Sequence, residues 1–206
     1  MPRRAGHLAR PVSRAAQRLE LLIFTEGAAT ETSYLRHWER EHRHRVRLEI
    51  DERHGRVPRS LVEIAVERKR YEDREARKGR GKSFDQVWCV LDVDAHPNVP
   101  QAVNMAIANN IQIALSNPCI ELWFVLHFED QAAHIERDRI QSRARALLAV
   151  TDKRLDERAL LLLMVKHADA VRRAQRLAIK HEGDGKPVGS NPSSTVYLLV
   201  ETIRSA

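Results

Sequence analysis

The strongest constraint on the fold is a short apolar run that ends in acidic residues. The run covers residues 87–91 and leads directly into Asp92 and Asp94, which are separated by one valine. A continuous apolar run of this length is typical of a central strand that is buried on both faces. With its flanks it predicts a strand at 84–91, and three more strands are predicted at 19–24, 46–50 and 111–115. Strands that alternate with helical patterns predict an α/β fold, in which helices flank a mostly parallel sheet.

Helical spacing of apolar residues predicts the helices between and after these strands. They are expected to start at Thr30 and to cover 58–77, 100–109, 119–128, 135–149 and 166–181, with a last helix after Ser193 or Ser194. Thr30 and one of these serines are the expected N-caps. Residues 1–18 contain five arginines and no acidic residue, so they are interpreted as a flexible basic arm. Residues 19–206 are interpreted as a single domain with a C-terminal helical elaboration.

The composition indicates in which compartment the protein works and what kind of partner it binds. The formal net charge is +7, which suits a polyanion such as nucleic acid but also fits an ordinary basic protein. No apolar run approaches the length of a membrane span, and no signal peptide is recognised at the start of the sequence. Cys89 and Cys119 lie in apolar runs and are expected to be buried thiols. We therefore expect a cytoplasmic protein with no membrane partner.

Three acidic residues follow predicted strands. Glu26 comes just after the first strand, and Asp92 and Asp94 end the central one. In a parallel sheet, functional groups gather beyond the carboxyl ends of the strands, and residues i and i+2 project to the same face. The two aspartates would repel each other, and Mg²⁺, which binds one or two carboxylates, would relieve that repulsion. The pattern predicts that Glu26, Asp92 and Asp94 jointly hold a metal ion at this edge, with simple capping of the next turn by the aspartates as the alternative.

Four motifs resemble known protein families. FTEGAATETSYL (24–35) followed by VWCVLDVD (87–94) resembles the Toprim pattern, in which Glu-Gly follows one strand and Asp-x-Asp ends a later one. The resemblance extends to the RloB-like family through TEG-x-x-TE-x-x-Y (25–34), LSNPC-x-ELW-x-x-LHF (115–128) and an NPS motif at 191–193. The motifs occur in order and together span nearly the whole chain.

The resemblance implies a Toprim-like Rossmannoid fold. It also implies a nuclease, or a protein of phosphoryl transfer, that depends on Mg²⁺ or Mn²⁺, acts on nucleic acid and takes part in phage defence through abortive infection or restriction. Glu26 matches the Toprim general acid or base, and Asp92 and Asp94 match the metal-binding pair. Glu121 has no Toprim counterpart, but its helical position could aim it at the same cleft as a further ligand.

Other site residues follow from position and charge. Gly27, Asn117 and Asn191 lie in the motifs and are candidates for lining the site, whereas Glu31 is expected to compensate a helix dipole. A set of basic residues is expected to hold the phosphate backbone, unless it is only a solvated helix face: Arg68, Lys69, Arg70, Lys78, Arg80 and Lys82. The alternative function is a non-catalytic module that senses a nucleotide or nucleic acid among partner proteins of a defence system. Whether the chain is an enzyme, its substrate, its metal count and its oligomeric state stay open.

Overall fold

The computed structural model describes residues 18–51, 53–54, 57–81, 84–93, 98–151, 154–187 and 189–206. Residues 1–17 of the predicted basic arm therefore lie outside the described residues, as do Lys82 and Asp94. Within the described ranges strands and helices alternate up to residue 126, as the apolar patterns predict, and three further helices precede the last strand and helix.

The strands are β1 (Leu19–Thr25), β2 (Val46–Ile50), β3 (Gln86–Asp92), β4 (Gln112–Asn117) and β5 (Ser193–Ser194). The helices are α1 (Thr30–His42), α2 (Pro58–Arg77), α3 (Val99–Ala108), α4 (Ile120–Leu126), α5 (Arg137–Leu148), α6 (Glu157–Val165), α7 (His167–Gly183) and α8 (Val196–Arg204). The α/β class is thus confirmed.

The five strands form one sheet in the order β2-β1-β3-β4-β5. The first four are parallel, and β5 pairs antiparallel with the end of β4. The carboxyl ends of β1 to β4 therefore meet at one edge, which we call the carboxyl edge. Because β5 runs the other way, its first residue, Ser193, lies at the same edge beside Asn117. The mostly parallel sheet that the sequence predicts is confirmed.

Helices cover both faces of the sheet, because side chains of the central strands alternate between two apolar clusters. Trp88 and Val90 of β3 face a larger cluster that includes Tyr34 of α1 and Trp123 of α4. Their neighbours on the strand, such as Cys89, face a smaller cluster formed with α2 and α3. The prediction that both cysteines are buried and unbridged is confirmed.

Two local predictions need correction, and one helix was not predicted. Thr30 is the first helical residue of α1, and Ala29 is the N-cap. Ser193 and Ser194 do not begin the last helix but form β5, whose pairing with β4 includes a 3.0 Å contact between the hydroxyls of Ser194 and Ser116. The apolar segment 159–165 belongs to a helix, α6, that periodicity did not predict. Among the described helices, none combines the length and the apolar character that a membrane crossing requires.

Candidate active site

At the carboxyl edge, a polar residue lies at or near the end of each of the five strands. His54 comes after β2, Glu26 follows β1, Asp92 ends β3, Asn117 ends β4 and Asn191 precedes β5. The sheet order therefore arranges these residues in a row across the edge. The first turns of the helices that cover one face of the sheet add further polar groups to this row.

Asp92 lies at the centre of the row. Only 6% of its surface is exposed, and alternation along β3 turns it to the face that α1 and α4 cover. Burial raises the pKa of the Asp92 carboxyl well above its usual range, and the negative charges of Glu31, Glu26 and Glu121 raise it further. These four acids are called the carboxylate centre below.

Glu31 is the member of the carboxylate centre that the sequence reasoning undervalued. It lies in the first turn of α1, where an acid suits the helix dipole, but it is also buried, with 6% of its surface exposed. Its Oε1 accepts a hydrogen bond of 3.0 Å from the backbone N–H of Gly27. Burial raises the pKa of Glu31, and the charge of Glu121 acts in the same direction. The feature of the sequence that could have identified Glu31 as a site residue is its spacing of four residues from Gly27 within one motif.

Gly27 is needed because the carboxylate of Glu31 fills the space beside it. A β-carbon on Gly27 would lie 2.2 Å from Oε2 of Glu31, much closer than any non-bonded contact allows. The hydroxyl of Thr25 donates a hydrogen bond of 2.9 Å to the Gly27 carbonyl. These contacts hold the turn that carries Glu26 beyond the end of β1.

Glu121 reaches the centre from the first turn of α4. Its neighbour Cys119 is fully buried, and burial raises the pKa of that thiol far above its usual range. The nearby charges of Glu121 and Asp92 act in the same direction, so the start of α4 lies against the end of β3. The expectation that the helix aims Glu121 toward the strand-ending acids agrees with this geometry.

Two basic residues flank the carboxylate centre. His54 lies on the β1 side, where its Nδ1 is 3.1 Å from the hydroxyl of Thr25, and it lowers the pKa of Glu31. Arg137, the first residue of α5, lies on the other side and opposes the rise in the pKa of Asp92. The sequence analysis named neither residue, because each is near the centre in space only.

The two motif asparagines organise the loops around the edge. Asn117 donates a hydrogen bond of 2.7 Å from Nδ2 to the carbonyl of Gly189. Asn191 makes two hydrogen bonds to the main chain of Ile135, accepting from its N–H at 3.0 Å and donating to its carbonyl at 2.9 Å. Both side chains therefore join segments that are far apart in sequence, and a role in lining the site stays a prediction.

Arg68, Lys69 and Arg70, three of the residues predicted to hold phosphate, lie on α2, which packs on the sheet face opposite to the one that Asp92 faces. Lys69 lines a small cavity with Gln86 and Gln112, which begin β3 and β4 at the opposite edge of the sheet. Several of these basic residues are engaged by neighbours. Arg68 pairs with Glu49 and Glu72 at 2.7 Å, Lys69 with Asp73 at 2.9 Å and Lys78 with Glu75 at 2.8 Å, and Arg70 donates to Asn109 at 3.0 Å. Their contact with nucleic acid stays a prediction.

The donor chemistry of the carboxylate centre fits a hard divalent cation. Mg²⁺ prefers carboxylate oxygens, and its charge would offset the repulsion that raises the pKa of Asp92. Within the part of the chain that the structure describes, no three histidine, cysteine or acidic side chains stand in a metal-binding arrangement as they are. Asp94 lies outside that part, so its pairing with Asp92 also stays a prediction.

A protein-family model described as RloB-like protein matches residues 21–203, which is nearly the whole chain. No curated protein sequence matches it.

Proposed function

The chain belongs to the RloB-like protein family, and from this membership together with the carboxylate centre we propose a metal-dependent enzyme that cleaves or transfers phosphodiesters of nucleic acid. The observation that carries the proposal is the convergence on Asp92 of acids from three other segments, Glu26, Glu31 and Glu121. Buried acids that perturb one another in this way are typical of functional sites, because a stable fold gains nothing from their repulsion.

Each acid has a role in this scheme. Asp92, with Asp94 and Glu121, would hold Mg²⁺ or Mn²⁺. When bound, the ion supplies a Lewis acid that neutralises charge on the scissile phosphate. Glu26 would move a proton to or from the attacking or leaving oxygen. Glu31 would keep the Glu26–Gly27 turn in place through its hydrogen bond to Gly27.

The proposed setting is the cytoplasm, in phage defence that is linked to abortive infection or restriction. Two free cysteines, Cys89 and Cys119, agree with a reducing compartment. Partner proteins of such a defence system would supply the trigger.

The test is a cleavage assay on plasmid, linear DNA and RNA, with Mg²⁺, with Mn²⁺ and with chelator. We expect cleavage only with metal, and a loss of at least about 100-fold in Asp92→Asn. The matched control is Asp73→Asn, which removes the same charge from the surface of α2, where Asp73 pairs with Lys69. Cleavage that survives both chelator and Asp92→Asn would refute the enzyme. Metal-dependent binding with unchanged substrate would favour the sensing module instead.

A further inference from the structure

A substrate phosphate cannot approach the carboxylate centre without a compensating positive charge. Four acids lie within electrostatic range there, and each phosphate of a nucleic acid brings another negative charge. A divalent ion would compensate part of this charge. The basic residues of α2 do not supply it, because α2 packs on the other face of the sheet, and Arg68 there is engaged by Glu49, Asp51 and Glu72. The site therefore needs a cation from another element.

Arg137 is that cation. Among the charges of described residues that act most strongly on Asp92, it is the positive one, and it opposes the four effects that raise the pKa of this carboxyl. Arg137 is part-buried and is the first residue of a helix of 12 residues. Its planar fork can donate two hydrogen bonds to one phosphate, and the positive end of the helix dipole favours an anion at the same place.

The tertiary structure holds Arg137 at the carboxylate centre through Asn191. This side chain binds both main-chain groups of Ile135, two residues before Arg137, at 3.0 and 2.9 Å. Asn191 itself lies two residues before the start of β5, which is anchored to the end of β4 at Asn117. On the other side, Ile140 of α5 is buried in the core. The start of α5 is thus fastened to β5 and to the end of β4, the strand that pairs with β3 beside Asp92.

We propose that Arg137 binds a phosphate group of the substrate beside the carboxylate centre, and that Asn191 positions it there. This inference rests on the proposed function and adds the residue that receives the substrate. Arg137 would contact the phosphate directly, whereas Asn191 would act only through the main chain before α5.

The experiment compares Arg137→Gln and Arg137→Lys with Arg139→Gln. Arg139 is exposed two residues further along the same helix, so its replacement removes the same charge. We expect kcat of cleavage to fall on the order of 100-fold in Arg137→Gln, the loss typical of removing one donor to a developing charge. Arg137→Lys should recover part of the loss, because it restores the charge without the fork. Arg139→Gln should change kcat by less than about twofold.

A double variant separates positioning from general stability. If Asn191 acts through Arg137, Asn191→Ala lowers kcat in the wild type and causes little further loss in Arg137→Gln. Losses that multiply in the double variant would overturn the role of Asn191. If Asn191→Ala does not fold, the Arg137 and Arg139 variants still decide the role of Arg137.

Failure of this inference can be told from failure of the proposed function. Wild-type cleavage with equal kcat in Arg137→Gln and Arg139→Gln would overturn the role of Arg137 and leave the enzyme standing. If the wild type binds nucleic acid without cutting it, the proposed enzymatic activity is refuted, and the affinity for nucleic acid then tests the role of Arg137. Arg137→Gln should then weaken affinity about tenfold or more, and Arg139→Gln less than about twofold. A wild type that binds no DNA and no RNA would overturn both proposals.

Discussion

Acid should destabilise this protein through a histidine that the fold keeps neutral. His127 is fully buried at the end of α4, where its Nδ1 lies 2.8 Å from the carbonyl of Trp123. Burial lowers the pKa of His127 from 6.5 to about 3. The unfolded chain therefore binds a proton near pH 6.5 that the folded chain refuses, so stability falls as the pH drops from about 6.5 toward 3.

The size of this effect follows from the two pKa values. Between pH 7 and pH 5, protonation favours the unfolded state about 25-fold, or about 2 kcal/mol. That is a large part of a total stability of roughly 5–15 kcal/mol. Burial also lowers the pKa of His167, which acts in the same direction. The raised pKa of Asp92 has the opposite effect on stability, because as the pH falls the folded chain binds a proton at this carboxyl before the unfolded chain does.

The assay isolates His127 by comparing the wild type with His127→Asn. The asparagine amide can still donate to the Trp123 carbonyl but does not titrate. Urea unfolding at pH 7 and pH 5, with chelator present, gives the free energy of unfolding for both proteins. We expect the wild type to lose about 2 kcal/mol more than the variant over this interval, whatever the variant costs at pH 7. Equal losses in the two proteins would show that His127 titrates alike in the folded and unfolded states.

Three further predictions concern the carboxylate centre and the core. Asp92→Asn should raise the melting temperature in chelator, because it removes a buried charge that neighbouring acids repel, and a lower melting temperature would contradict this repulsion. Addition of 10 mM Mg²⁺, roughly 100-fold over an assumed Kd of 0.1 mM, should stabilise the wild type more than this variant. Gly27→Ala should displace the Glu31 carboxylate and lower stability by about 1–3 kcal/mol in chemical unfolding, whereas Gly27→Ala with Glu31→Ala should recover part of that loss. Tyr34→Phe removes the oxygen that accepts the Trp123 indole N–H at 2.8 Å and should cost about 1–3 kcal/mol, and an unchanged unfolding midpoint would argue against this buried bond.

Local patterns in the sequence were enough for most of the fold. The strands β1 to β4 are short apolar or alternating runs, and seven of the helices follow apolar spacing with the expected ends to within a few residues. The exceptions have physical causes. Ser193 and Ser194 have no apolar pattern and become a strand only by pairing with Ser116 and Asn117. Every residue of 159–165 is apolar, so no polar positions in the sequence mark off the side that is buried, Ala159, Leu160 and Leu163, from exposed residues such as Val165.

Some residues of the candidate site could likewise be predicted from local sequence patterns, and others could not. Glu26 and Asp92 could be predicted, because the carboxyl ends of parallel strands meet at one edge whatever the loops do. The burial of Glu31 against Gly27 could not, since a first-turn acid has an ordinary explanation in the helix dipole. The basic residues of 68–82 were chosen for charge and nearness in sequence, yet Lys69 ends up at the other edge of the sheet.

The sequence by itself determined the alternation of strands and helices, the parallel sheet and the acids that end its strands, because these depend on periodicity within a few residues. Only the tertiary structure decided which cation faces those acids. Arg137 lowers the pKa of Asp92 from the start of α5, which Asn191 holds through Ile135, 56 residues earlier in the chain. Contacts of that range leave no periodic trace, because they depend on how whole elements pack and not on the residues beside them.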